Sequence, residues 1–476
     1  MTQPLMQETW DVVIMGAGTC GLATAGFAAR RSARVLLIDA ALTVGGTLLV
    51  GYGQLSAAGT RLQAEKGIED SPERHYEEAL RISKGTIDRD LAKLAIFNAG
   101  KTFDWMMERG YDVLPQCPAI ESAHEPYDVA RYYWSGDRGL SILKVLEGAM
   151  REQEARGRVT VLTKTCVVAL AQDRQGVVKG VDIIDADGTD RRVMARHVVL
   201  AAGGYAANAD LFRRLCGQRS YVKGAYDYAQ GAGLELGVAA GGYLRGRENY
   251  LSNFGWLLDD GPFPSAILGR ANTYPESRLP WEIYVNSSAQ RFVREDEPSV
   301  DLREHALLEQ PELRYWIIFD QAIFERAPPM VIGWSREQMA AAFNTKQVFR
   351  KANSLDELAR DIGLDPSALT QTVARYNAGR AAGSDALGRL HMPAAIGCGP
   401  FYAIRQQGGS VTSTVGLAVN AQLRVIRPDG AAIPGLYAGG EILGSGQLQG
   451  NAFVGGMMAM PAIVFGRLLG EKFLNL

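Results

Sequence analysis

The chain has 476 residues, 47% hydrophobic and 21% charged, a globular composition with length for two or three domains. Lys+Arg at 50 against Asp+Glu at 52 leaves a formal charge of -2, which supplies no basic field and argues against nucleic acid as a partner. Five scattered cysteines with no C-x-x-C pair exclude a zinc ribbon or a disulfide framework, and no metal site is expected. Their use fits a reducing compartment.

The start, Met1 to Trp10, has no basic segment and no apolar run, so no signal peptide is expected. Asp11–Met15 reads as a buried parallel strand, Gly16–Gly21 as a turn and Leu22–Arg31 as a helix. Ala33–Asp39 reads as a second strand ending in an acid. The apolar run from Val12 to Ala29 carries four glycines, so it reads as strand, turn and helix rather than a membrane span. A cytoplasmic protein without an integral membrane segment is expected. His75–Ile82, Asp90–Arg109 and Gly139–Ala155 have helical periodicity. Val159–Leu162, Cys166–Ala171, Val178–Ile184, Arg192–Ala195 and His197–Ala201 read as strands. After about Gly242 the chain becomes rich in Trp and Pro and loses periodicity until Trp316–Phe319. This region reads as an inserted cap. Helix Asp365–Arg380 belongs to the return path, and glycine-rich strands and turns lead to a last helix over Met457–Phe473. The expected fold is α/β: a Rossmann-like domain in two parts, 1–250 and 355–476, around an α+β cap for substrate over 251–354.

Gly16-Ala17-Gly18-x-x-Gly21 follows a predicted strand and opens a predicted helix, and Asp39 lies 18 residues beyond Gly21. That context makes it a dinucleotide fingerprint. Gly16 permits the tight turn, Gly18 lets the backbone approach a pyrophosphate, and Gly21 allows close helix–strand packing. The helix N-terminus offers free N–H groups to the phosphates. Asp39 is suited to an adenosine ribose, and its charge would repel a 2′-phosphate. Further segments favour FAD over NAD: Val44-Gly-Gly-Thr47, Ala201–Tyr205, Pro434–Glu441 and Gly455-Gly-Met-Met458. A helix N-terminus at Gly455–Gly456, aimed at the flavin N1/C2=O edge, would stabilise the charge of reduced flavin. None of the five histidines lies in Val44–Gly53, so the FAD is expected to be non-covalent.

On these segments, together with Asp104-Trp-Met106, Gln290-Arg-Phe292, Gly399–Tyr402 and Phe465-Gly-Arg467, the chain resembles the fumarate reductase/succinate dehydrogenase-type flavoproteins, which include the 3-ketosteroid dehydrogenases. The resemblance implies an FAD site lined by Asp39, Ala40, Gly46, Thr47, Val167, Ala202, Gly203, Glu441, Gly456 and Met457. It also implies hydride transfer between flavin N5 and a carbon beside a carbonyl. Gln230-Gly-Ala-Gly233 stands where the family usually has Gly-Asp-Gly.

The departures bear on the substrate. The dicarboxylate reductases of that family have a His-His-Thr-Met-Gly-Gly stretch; here it reads Val411-Thr412-Ser-Thr-Val-Gly416. They have an arginine ahead of the last Gly-Gly; here it is Phe453. Their proton-donating arginine follows the Arg-Phe pair by about eight residues; here that distance reaches Ser299, and Arg303 fits only with an insertion. Two carboxylates would be buried without partners, at prohibitive cost. An apolar cyclic ketone, steroid or cyclohexanone type, is the expected substrate of an FAD-dependent dehydrogenase; the alternative is an ene-reductase of an unsaturated acid or ketone, and the electron acceptor is left open. Tyrosines serve as donor and base in the ketosteroid enzymes, which makes Tyr52, Tyr132 and Tyr133 the candidate catalytic residues. Phe453, Tyr250 and Thr412 are the candidate substrate contacts, with Tyr274 and His305 as further candidates in the cap.

Overall fold

The computed structural model describes residues 9–120 and 124–476, which form two compact units. Met1–Glu8, most of the stretch read as free of a signal peptide, lies outside the described residues. The first unit runs to Arg219 and adds Ala225–Tyr250 and Val411–Leu476; the second holds Ser220–Gly224 and Leu251–Ser410.

The first unit is built on a largely parallel sheet. Its strands are β1 (Trp10–Met15), β2 (Val35–Ile38), β3 (Val159–Leu162), β4 (Cys166–Gln172), β5 (Val178–Ile184), β6 (Asp190–Leu200), β7 (Arg424–Ile426) and β8 (Ala432–Ala438). The order is β7-β8-β6-β1-β2-β3, with β4 and β5 continuing antiparallel from β6. The run Val12-Val-Ile-Met15 forms the central strand because both of its faces are covered. Val12 sits opposite Val35 on one side and His197 on the other, all in parallel register. The sequence reading broke β6 into two strands at Arg196. The structure keeps one strand: buried Val193 and Ala195 alternate with exposed Met194 and Arg196, a pleat with one wet face, and the strand continues through Arg196 into the fully buried Val198–Leu200.

Helix α1 (Thr19–Arg30) follows β1, and α2 (Ala459–Leu468) lies close to the C-terminus. They pack backbone to backbone: a side-chain carbon at Gly466 would sit 2.5 Å from the Cys20 carbonyl oxygen. One at Gly470 would sit 2.6 Å from the Ala28 nitrogen. The expected helix over Met457–Phe473 is α2 followed by a wider π turn, Leu469–Phe473. Its start is delayed because the Met457 N–H closes a turn on the Val454 carbonyl, 3.1 Å away.

The second unit carries the antiparallel sheet of strands Ile283–Val285, Arg314–Asp320, Phe401–Gln407 and Phe349–Ala352. The sequence reading returned the chain to the first domain at residue 355. In the structure 355–410 stays with the second unit, because Phe401–Gln407 pairs along its length with Arg314–Asp320 and also with Phe349–Ala352. Arg291 of the Gln-Arg-Phe segment ties this unit together through Glu295 and Asp385, both buried.

The α1–α2 contact leaves no room for a side chain, so Gly466→Ala should cost about 1–3 kcal/mol through overpacking. Thermal unfolding of the apoprotein reads this as a lowered Tm; an unchanged Tm would show that the helices can separate freely.

Candidate functional site

The loops that follow the carboxyl ends of the parallel strands are knitted into one edge, where ligands of open α/β sheets bind. The Gly16 N–H donates to Ile38 O at 2.7 Å, Asp39 N–H to Leu162 O at 2.8 Å and Ala201 N–H to Met15 O at 2.8 Å. Gly439 N–H donates to Leu200 O at 3.1 Å. Gly16 adopts φ +103°, and any side chain there would lie 2.4 Å from the Ala201 carbonyl oxygen, so the fingerprint turn and the turn after β6 touch through backbone alone.

Asp39 organises this edge. Its carboxylate accepts the Ala17 N–H at 2.6 Å through one oxygen and the Ala41 N–H at 2.8 Å through the other. Gly45 N–H donates to Ala17 O at 2.9 Å, which brings Gly46 against Gly18. Gly18 is the N-cap of α1 and has no side chain to cover the first-turn N–H groups. Gly203 faces open space. Ala40 and Thr47 are exposed at the rim, and Ala202 is half-buried. Val167 is buried just past Thr165, whose N–H donates to the Asp39 carbonyl at 3.0 Å. A glycine-walled cleft at a helix N-terminus, with an acid at its ribose end, fits an adenine dinucleotide.

Glu441 lies at the same edge after β8. Its carboxylate accepts the Ser413 N–H at 3.1 Å, and Ser413 Oγ in turn accepts the Tyr205 N–H at 2.6 Å. Burial pushes the Glu441 carboxyl above the usual range, and the Ser413 N–H and hydroxyl pull it partly back. Thr412 is half-buried next to this pair.

The segment before α2 forms the other end. Gly456 presses on the backbone of Leu55–Ser56: a side-chain carbon there would be 2.3 Å from the Ser56 nitrogen. Tyr127 donates its hydroxyl to the Gly455 carbonyl at 2.6 Å. The Tyr132 ring covers the Cα of Gly455, where a side-chain carbon would approach it to 2.8 Å. Phe453 is stacked on His124 with ring centroids 4.8 Å apart and planes at 28°. Met457 sends its side chain into the core, so only its backbone is available to a ligand.

The tyrosine candidates separate clearly. Tyr132 stands beside Gly455. Tyr133 does not: its hydroxyl is hydrogen-bonded to Thr60 at 2.8 Å and its ring packs 4.1 Å from Phe103, so its place is in the core. Tyr52 is 63% exposed under the Arg138 guanidinium, 4.7 Å away. Tyr250 packs edge-on to Phe212 at 6.2 Å. In the second unit Tyr274 is half-buried beneath the Arg303 guanidinium, and His305 turns Nδ1 to the Asp301 carbonyl of its own helix. The sequence reading missed His124 and Tyr127. Their only signal was the His-Glu-Pro-Tyr run upstream of Tyr132, in a stretch without periodicity.

The sequence profile of the FAD binding domain family matches residues 11–457. The chain belongs to that family. It is an FAD-dependent oxidoreductase, and FAD is the dinucleotide that the cleft described above fits. Among curated proteins it is 28% identical over 473 residues to "Fumarate reductase (cytochrome)" of Shewanella frigidimarina, covering 98% of this chain and 77% of that one. It is 24% identical over 563 residues to "4-oxocyclohexanecarboxylate 2-dehydrogenase" of Sinomonas cyclohexanicum, covering 98% and 93%. Among solved structures, the 3-ketosteroid delta1-dehydrogenase from Sterolibacterium denitrificans in complex with 1,4-androstadiene-3,17-dione superposes with a TM-score of 0.76 at 18% identity, covering 98% and 99%. That likeness concerns the fold. Among the described residues of the flavoprotein no helix is long and apolar enough to cross a membrane.

Asp39→Ala removes the acceptor that holds the fingerprint turn through Ala17 and, on the expected role, the ribose contact. With a charge-assisted bond worth about 1.5–3 kcal/mol, FAD affinity should fall roughly tenfold to a hundredfold; titration of the apoprotein with FAD checks this, and an unchanged affinity would remove Asp39 from the site. Glu441 titrates with the opposite sign to a salt-bridged acid. Its folded-state value is raised, so the stability it contributes is present below the unfolded value and is lost as pH rises through the raised one. Apo Glu441→Gln should therefore gain Tm relative to the parent as pH climbs from about 4 to neutrality; a difference independent of pH would contradict this.

Proposed function

We propose that the protein is a dehydrogenase that desaturates the C–C bond beside the carbonyl of an apolar cyclic ketone. The observation that carries this reading is the Phe453–His124 stack beside Gly455. Phe453 stands where the dicarboxylate enzymes it resembles place a carboxylate-gripping arginine, and guanidinium is the group suited to that task. An aromatic face there favours a ring over a dicarboxylate. The Val411–Gly416 segment, which has no histidine, supports the same choice. The 4-oxocyclohexanecarboxylate 2-dehydrogenase among the relatives shares the ring-and-ketone chemistry.

FAD, when bound, supplies the acceptor for the hydride and is read as non-covalent, so acid precipitation should leave a colourless pellet. The chain supplies the rest. Phe453 holds the face of the ring. Tyr132, the only one of the three candidate catalytic tyrosines placed beside Gly455, handles the proton, as donor to the carbonyl or as acceptor of the α-proton. The carbonyl must be polarised because the α-proton is a weak acid.

A second reading, reduction of an activated C=C bond in an unsaturated acid or ketone, is favoured by the Shewanella fumarate reductase and by His124, an imidazole able to meet a carboxylate. The two separate under anaerobic conditions. Bleaching of the flavin by saturated cyclic ketones is expected; rapid oxidation of reduced flavin by fumarate, with no response to any ketone, would overturn the proposal. Phe453→Ala should raise KM for the ketone by an amount worth about 1.5–3 kcal/mol with FAD retained. Phe453→Arg should abolish ketone turnover by placing an unpaired charge in an apolar site. Tyr132→Phe should lower kcat by about 10²–10⁴-fold with little change in KM.

A further inference from the structure

Beneath Gly455 lies a buried polar cluster that the reaction above does not use. Arg131 is fully buried. Its Nε and Nη2 bond Asp70 at 2.9 and 2.8 Å, and Nη2 also bonds Glu78 at 2.8 Å. Asp70 is further held by Gln63 Nε2 at 2.9 Å, and Glu78 accepts the Asp128 N–H at 2.6 Å. An arginine fixed by two carboxylates is costly to bury and is rigid once formed. Its guanidinium lies over the Tyr127 ring at 5.0 Å, and His75, also fully buried, meets the same ring edge-on at 5.4 Å and 88°. Burial and the Arg131 charge hold the His75 imidazole neutral, so it adds contact without charge. Tyr127 is thereby clamped on its face and its edge, and its hydroxyl donates to the Gly455 carbonyl next to Ser56.

In a trans peptide the carbonyl of one residue and the N–H of the next point in opposite directions. With the Gly455 carbonyl drawn down to Tyr127, the Gly456 N–H is turned to the other side of the peptide plane. The Met457 N–H is spent on Val454 O, whereas the Gly456 N–H donates to no acceptor among the described residues. Gly456 is half-exposed, just ahead of the N-terminus of α2.

We infer that Tyr127 is a positioning residue: held by Arg131 and His75, it fixes the Gly455–Gly456 peptide so that the Gly456 N–H points at the N1/C2=O edge of the flavin and stabilises the negative charge of its reduced form. Tyr127 touches neither substrate nor flavin and acts through the peptide. The inference does not depend on which substrate is oxidised.

The test uses the FAD-loaded protein with no substrate. Tyr127→Phe keeps the ring and removes the bond to Gly455 O. Its two-electron flavin potential, measured by equilibration with redox dyes, should fall. Sulfite adds to flavin N5 and leaves its electron pair on the same N1/C2=O edge, so its dissociation constant should rise about tenfold, equivalent to about 30 mV for a two-electron couple. Tyr133→Phe removes an equally buried hydroxyl that bonds Thr60. It should lower Tm and leave both flavin readouts unchanged, which separates positioning from general loosening of the fold. If Tyr127→Phe does not retain FAD, Arg131→Lys decides: it keeps a charge between Asp70 and Glu78 but takes the guanidinium off the Tyr127 ring, and it should shift both readouts in the same direction by less. A potential and sulfite affinity equal to the parent's in the variant that holds FAD, or equal shifts in the Tyr133 control, would overturn the inference.

Discussion

The backbone contact between α1 and α2 is the constraint on which the cofactor-binding unit depends. Cys20 and Gly466 meet with no side chain between them, so helices from opposite ends of the sequence lie side by side. Each begins at a glycine-lined turn. In the proposed site the N-terminus of α1 would serve the phosphates and the segment ahead of α2 the ring system, and the spacing of these two donor ends is set by how closely the helices approach. A long cofactor can then be gripped at two fixed points by one rigid pair. Cys20 illustrates the cost: its thiol is sealed in the contact and pushed up to about 12, which leaves it inert as a nucleophile.

Much of this was legible in the residues. The strand, turn and helix from Asp11 to Arg31 were readable because their determinants are local: a β-branched run, glycines where the turn permits nothing else, and an acid one strand later. The Asp39 carboxylate shows the limit even there. The sequence proposed it as a ribose ligand, but only the structure shows that its two oxygens also hold Ala17 and Ala41 in place. Non-local pairing was not readable. Residues 355–410 could be assigned only once Phe401–Gln407 was seen to pair with strands far from it in sequence.

The catalytic end was the least legible, and for the same reason. Tyr132 and Tyr133 are adjacent and alike in sequence, yet on a strand successive side chains point to opposite faces. One faces Gly455 and the other faces Thr60 and the core. Nothing within the dipeptide distinguishes them. His124 and Tyr127 lie in an irregular segment whose partners, Phe453 and Gly455, are more than three hundred positions away. Local patterning carries no trace of such contacts.

The path of the chain also has a consequence for how the molecule is made. The second unit interrupts the first between Tyr250 and Val411, and its sheet is complete by Gln407. The first unit's sheet gains β8 only at Ala432–Ala438, and α2 follows later still. During synthesis from the N-terminus the inserted unit therefore has all of its strands before its host does. The fingerprint turn is translated before the rest of the sheet, yet the surface that α1 needs for packing comes only with α2. Until Ala459–Leu468 has been made, α1 keeps an apolar face uncovered. The cofactor cleft thus forms only after α2 exists, and a polypeptide that stops before Ala459 would have a folded insert and an open, sticky nucleotide fold.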